Sequence, residues 1–429
     1  MPVYSARKEE LKLALSRRLQ AARDMTDSLF ALIRPEALLA RPVRERHRII
    51  FYIGHLEVFD WNMIGRHGFG LESPDPRYDR LFGFGIDPVN GGLPEDAAGD
   101  WPPMSEIRRR NARIRSSVDD CLQRADDLQM FLVGIEHRLM HAETVTYMMH
   151  WLDYALKTPP APAPVVDTPP RLPRRVDIPA GEATLGFTQE LQEPFGWDNE
   201  FQPQTVSARP FAIDVDNVTN AQYLEFVEAG GYEHPSLKWF VEAEGINHPK
   251  FWRRRKGTWW YRAMFGEIPL PLAWPVYVSH AEAAAYARWA GRALPTEVQF
   301  HRAAFGAPGG RERLYPWGNA APEAKHGNFN FLDWNPSPVG THPAGDSAFG
   351  VADLVGNGWE WTSTMFEPFP GFKPFSFYPG YSANFFDGSH YVLKGASPRT
   401  ASALLRRSFR NWFQPHYPNI YATFRCVDN

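Results

Sequence analysis

Cysteine is almost missing: two residues, Cys121 and Cys426, in a chain of 429. Two thiols cannot build a disulfide framework or a thiolate metal cage, so any metal must be held by histidine and carboxylate. An excess of one charge is missing too. With 46 basic against 49 acidic residues and a formal net charge of -3, no global field draws the chain to nucleic acid or to an anionic membrane surface. No apolar run approaches the roughly 20 residues of a membrane span, and the opening segment MPVYSARKEELK lacks the apolar core of a signal peptide. The expectation left standing is a cytoplasmic protein with small-molecule partners.

What is present divides in two. From Ser5 to about Lys157, apolar residues recur at spacings of three or four (Leu11, Leu15, Leu19, Ala22, Leu29, Ile33). Similar stretches near 45–66, 104–127 and 128–156 complete an expected four-helix bundle. Residues 71–103, rich in Gly, Pro and Asp, read as a long loop rather than a regular helix. The proline-rich segment 158–175 reads as an extended linker. Beyond 176 come short β-like runs (FAIDV, HYVLKG), helical patches such as SHAEAAAYARWAG, and many Trp, Gly and Asn residues. Aromatics make up 14% of the chain, with 15 Trp, and the second half reads as a loop-rich α+β domain. The expected domains are thus 1–157, a linker at 158–175, and 176–429.

His137 and His141 stand four apart in EHRLMHAE, so on a helix they share one face, one turn apart, and can chelate a single ion. His55, in FYIGHLEVFDWN on an earlier helix, can supply a third ligand across the bundle. A bare HxxxH is as often a polar surface coincidence as a site. Glu57, Asp60 and Glu143 lie near these histidines and can orient imidazoles, although Asp60 reads first as a solvated helix charge. Three neutral nitrogen donors suit Fe(II) or Zn(II); on octahedral iron they leave three positions open.

The segments LVGNGWEWT (354–362), RALPTEVQFHRAA (292–304), YPWGN (315–319) and FRNWFQPHYPNIYATFR (409–425) resemble the formylglycine-generating-enzyme-like fold, a C-type-lectin-like architecture, over about 178–428. The copper-dependent oxidases of that fold use a pair of active-site cysteines, and this domain contains only Cys426. A DinB-like bundle with three histidines followed by such a domain resembles the ergothioneine-biosynthesis sulfoxide synthases. The resemblance implies an enzyme that uses non-haem Fe(II) and O2 to join a sulfur donor to C2 of the imidazole of hercynine, the trimethylated betaine of histidine. It implies that His55, His137 and His141 bind iron, that Asn411 and Trp412 contact hercynine, and that Tyr378 or Tyr381, within FSFYPGYSANFF, controls a proton, with Tyr378 favoured. An indole face attracts trimethylammonium, and a carboxamide can bond a carboxylate or imidazole.

The sequence also departs from the pattern. Phe413 and Tyr417 stand where the γ-glutamylcysteine-using type carries an acidic and a basic residue, and segment 85–97 shows no counterpart of that type's loop arginine. Met140 stands where a hercynine-contacting glutamine is expected, giving HRLMH for HxxQH. A donor with two carboxylates would find no charged partners in such a pocket, whereas a sugar can stack on aromatic rings. The expectation is the selenoneine-synthase branch, which takes selenium from a selenosugar. The alternatives are a sulfoxide synthase using cysteine or another thiol, a zinc-dependent DinB-type thiol transferase, and a non-catalytic lectin-like binding protein.

Overall fold

The computed structural model describes residues 2–73, 75–83, 96–160, 165–166, 168–187 and 195–428. Most of segment 85–97, in which no counterpart of the loop arginine stands, lies outside the described residues. The chain divides into two compact units, Met1–Pro162 and Ala163–Asn429, the first helical and the second built on sheets.

The first unit contains α1 (Pro2–Ala31), α2 (Ile49–Asp60), α3 (Pro76–Phe82), α4 (Met104–Arg124) and α5 (Gln129–Trp151). α2 continues into a wider, π-type stretch over Trp61–Gly68. α1 and α4 are amphipathic: Leu15, Leu19, Ala22 and Leu29 of α1 and Ile107, Ile114 and Val118 of α4 are buried. The apolar stripe of α1 stops short of Leu11, which is exposed, while its neighbour Lys12 is buried with its ammonium donating to the Gln123 carbonyl. The interior row follows Lys12, Leu15 and Leu19, so Leu11 faces away. α2 and α5 differ from these, being buried around nearly their whole circumference, as helices with apolar residues on every side must be. Their histidines therefore lie in the interior of the unit.

The expected loop over 71–103 contains a regular helix, α3. Asp75 accepts from the backbone N–H of Arg77 and Tyr78, Pro76 occupies the first turn where no N–H is needed, and Gly83 closes the far end. The same Asp and Pro residues that argue against a long helix start this short one.

The second unit contains, in chain order, β1 (Arg175–Ile178), β2 (Gly181–Leu185), β3 (Gln204–Ala208), β4 (Phe211–Asp214), α6 (Asn220–Glu228), α7 (Pro235–Glu244), β5 (Trp252–Arg255), β6 (Thr258–Arg262), β7 (Glu267–Pro269), α8 (His280–Trp289), α9 (Glu297–Phe305), β8 (Gly358–Met365), β9 (Tyr391–Ala396), β10 (Asn411–Phe413), β11 (Ala422–Thr423) and β12 (Val427–Asp428). Its largest sheet has the order β10-β9-β8-β11, with β11 parallel to β8; β1-β4-β12, β5-β6-β7 and β2-β3 are smaller. Ile178, Phe211, Ile213 and Val427 pack with Phe300, Ala304 and Phe305 of α9 in one core. Long irregular connections between β8 and β10 carry the aromatic residues described next.

Candidate functional site

His55 from α2 and His137 and His141 from α5 come together, all buried, with one ring nitrogen from each within 4.8 Å of the others. Among the described residues this is the one cluster of three or more such side chains fit to hold a metal. The Nε2 atoms of His137 and His141 stand 3.0 Å apart. Two nitrogens each ~2.1 Å from a shared ion and at right angles stand about 3 Å apart, so the pair fits adjacent positions on one metal.

The His55 tautomer is fixed by its surroundings. Its Nδ1–H donates to the Phe82 carbonyl at 2.7 Å, leaving the Nε2 lone pair for the cluster. That carbonyl is one of those left unpaired at the end of α3, so the short helix delivers the acceptor. Gly54 makes the approach possible, because a Cβ there would lie 2.4 Å from the Phe82 ring. Rings hold the imidazoles in plane: Phe59 stacks on His137 at 3.4 Å between centroids, and Phe51 stacks on His55 at 4.7 Å. Burial lowers the pKa of His55 to about 4 and pushes His137 and His141 well below the ordinary imidazole range. All three are therefore neutral, with lone pairs available, near pH 7. The Nδ1 atoms of His137 and His141 are buried without a protein partner.

Glu57 and Asp60 do not orient these rings. Glu57 and Asp60 are buried and paired with the fully buried Arg138, whose guanidinium lies 2.6 Å from each; Arg115 also reaches Glu57 at 2.6 Å. Asp60 is thus an interior ion rather than a solvated charge, and burial raises its pKa even beside Arg138. The reading of Glu57 and Asp60 as imidazole partners is likewise overturned, since a helical residue two or five positions from His55 points to another side of α2. Glu143 is half-buried on α5, as is Met140, beside His141.

The remaining expected residues lie in the second unit. Asn411 and Trp412 open β10, where the Asn411 carbonyl oxygen Oδ1 accepts from the Trp412 backbone N–H at 2.9 Å. The Trp412 ring stacks on Phe366 at 4.2 Å, meets Phe385 at 5.6 Å, and takes the edge of Tyr381 at 5.5 Å. Tyr381 also stacks on Trp197 at 4.0 Å, and Tyr378 lies 5.6 Å from Tyr381. Phe413 and Tyr417 stack nearly parallel at 5.2 Å. Thus Tyr378, Tyr381 and Trp412 belong to one aromatic cluster, and Phe413, the last residue of β10, pairs with Tyr417 beyond the strand. Sequence reasoning missed the Phe82 carbonyl, Arg138, Trp197, Phe366 and Phe385. Only the W-D-N-E run at 197–200, with its charges set among aromatic residues, offered a signal.

Comparison with known proteins adds the following. Residues 162–429 match the sulfatase-modifying factor enzyme 1-like domain, and residues 18–154 match the DinB superfamily. A hercynine oxygenase of Mycolicibacterium thermoresistibile is 37% identical over 83% of this chain and 83% of its own length. The hercynine oxygenase of Mycolicibacterium smegmatis is 36% identical over 76% of this chain and 78% of its own. Ergothioneine biosynthesis protein 1 of Neurospora crassa is 26% identical over 91% of this chain and 55% of its own length.

Proposed function

The chain belongs to the family of the ergothioneine-biosynthesis sulfoxide synthases, and from that premise we propose that it is an Fe(II)- and O2-dependent enzyme joining a chalcogen donor to imidazole C2 of hercynine. The observation that carries the reading is the convergence of three buried, neutral histidines on one point. Three nitrogen donors and no thiolate suit Fe(II) and leave coordination positions for ligands. Bound iron would supply one-electron chemistry and the activation of O2.

The chain's own groups do the rest. His55, His137 and His141 hold the metal, and Phe51 and Phe59 exclude water around it. The Trp412 ring, backed by Phe366 and flanked by Phe385 and Tyr381, is the indole we assign to the trimethylammonium group. The Asn411 side-chain oxygen is engaged by the Trp412 backbone N–H, so its NH2 is the group left for a substrate carboxylate or imidazole. Tyr378 or Tyr381 holds or moves a proton at its phenolic oxygen. Met140, a thioether, leaves hercynine without a hydrogen bond there.

The donor we favour is a selenosugar, which would make the enzyme a selenoneine synthase. Phe413 and Tyr417 present a stacked aromatic pair with no fixed charge, a surface suited to the apolar face of a sugar. The sulfur reading, with cysteine or another thiol as donor, is favoured instead by the ergothioneine relatives.

The deciding experiment is anaerobic loading with Fe(II), then hercynine, each donor in turn (selenosugar, thiosugar, cysteine, γ-glutamylcysteine) and O2, with mass spectrometry of the products. The expected result is an iron-dependent C2 adduct with the selenosugar, lost in His137→Ala. An adduct with a thiol alone would give the sulfur reading. Oxygen-independent turnover with zinc would give a thiol transferase, and no adduct with any donor despite bound iron would sink the hercynine reading.

A further inference from the structure

Beside the aromatic cluster of the second unit lies a turn, Trp197–Glu200, that is buried throughout. Its charges are held on two sides. Glu200 accepts from Arg406 Nε at 2.7 Å, from Arg406 Nη2 at 2.5 Å and from Ser408 Oγ at 2.7 Å, and Arg410 Nη1 reaches the Asn199 carbonyl at 3.5 Å. These partners lie immediately before β10, so one end of the turn fixes the strand that carries Asn411 and Trp412.

The other end grips the segment of the two tyrosines. The Ser382 hydroxyl donates to the Asp198 carboxylate and accepts from Asn199 Nδ2 at 3.0 Å. The backbone N–H of Phe375 also faces the Asp198 carboxylate. Between these holds the chain runs through two tight turns, Tyr378 N–H to the Phe375 carbonyl at 3.1 Å and Tyr381 N–H to the Tyr378 carbonyl at 3.2 Å. Both tyrosines therefore sit on a short loop whose two ends meet at one carboxylate, with Trp197 stacked on the Tyr381 ring.

We propose that Asp198 is a positioning residue: through Ser382 and the 375–382 loop it sets where Tyr378 and Tyr381 stand relative to Trp412, while Glu200 of the same turn sets the Asn411–Trp412 strand. A carboxylate suits the task because it accepts several hydrogen bonds at once and donates none, so it can close a loop by gathering hydroxyl and N–H groups. Burial pushes the Asp198 pKa up, and the Ser382 and backbone bonds oppose that shift. Neither Asp198 nor Ser382 needs to touch substrate; their effect passes through the phenol oxygens. Where turnover is the readout, the inference rests on the hercynine reading.

The test uses the iron-loaded full chain with Asp198→Ala, Ser382→Ala and the double variant. Hydrogen exchange is followed by mass spectrometry in peptides covering 375–386 and 408–416, and steady-state kinetics are measured with hercynine varied. Exchange in 375–386 is expected to quicken while 408–416 stays as in the wild type. kcat is expected to fall about tenfold, since small misplacements of a reacting group are felt strongly in rate, with KM for hercynine within about twofold. The double variant is expected to be no worse than the poorer single one, because both remove one clasp. Wild-type exchange and kcat in both single variants would overturn the proposal. So would loosening spread equally over 408–416, or a KM effect without a kcat effect. If Asp198→Ala does not fold, Ser382→Ala carries the test, since it removes one oxygen atom. A wild-type protein without turnover removes the hercynine reading and leaves the exchange comparison to decide the clasp.

Discussion

Arg138 shows what one side chain does in the interior of the helical unit. It is the shared cation of two buried carboxylates, Glu57 and Asp60, and links α5 to α2 on a face other than that of the histidines. Replacing it by methionine keeps the bulk but leaves two interior anions short of a partner. We expect a loss of about 3–5 kcal/mol, read from denaturant unfolding. Replacing Arg138, Glu57 and Asp60 together by apolar residues should restore most of it. Glu282, in the second unit, makes a pH-dependent contribution. It is buried, accepts from the Tyr232 hydroxyl, and burial pushes its pKa up to about 7 from an ordinary 4.5. Its folded pKa lies above its unfolded one, so its contribution is fully present below pH 4.5 and is lost as pH rises to 7, by roughly 3 kcal/mol. Glu282→Gln should abolish that part of the slope. In urea unfolding the variant should therefore gain on the wild type from pH 5 to pH 8; a constant difference would contradict this account.

Among the helices α1–α9, α3 is the shortest and the one on which the His55 ring depends. Its start is set by Asp75 and Pro76, its end by Gly83, and its last carbonyl receives the His55 Nδ1–H. Asp75→Ala removes the cap and should weaken α3 by about 1 kcal/mol. The expected functional result is weaker metal binding in a competition titration with a chelator, since the outer bond that orients a ligand is typically worth about 10–100-fold in affinity. Gly54→Ala should act the same way by a different route, displacing Phe82 from α2. If metal affinity is unchanged in both variants, the Phe82 carbonyl does not orient His55. The sequence showed α2 and α5 because apolar segments of 12 and 23 residues are too long to be strands. It did not show α3, where seven residues bounded by Pro and Gly look like loop until their burial is known.

For the whole molecule, a metal that binds the folded histidine cluster and not the unfolded chain must stabilise the fold by mass action. Adding Fe(II) anaerobically should raise the thermal midpoint and slow exchange in peptides of α2 and α5, with no such change in His55→Ala; stabilisation that persists in that variant would place the metal elsewhere. The sequence by itself determined the order of the two units, the fold class of each, and the three histidines. Composition, helical spacing and ordered Trp-Gly-Asn motifs are local properties and can be read along a chain. The tertiary structure decided which charges are interior. Asp60 was legible as a helix carboxylate, but its burial against Arg138 depends on how four helices pack, and packing is not written in any one of them. It also decided the partners of the tyrosine loop. Asp198 and Ser382 are separated by 184 positions and are joined only because both are excluded from water at the same place, where each needs the other to satisfy a polar atom.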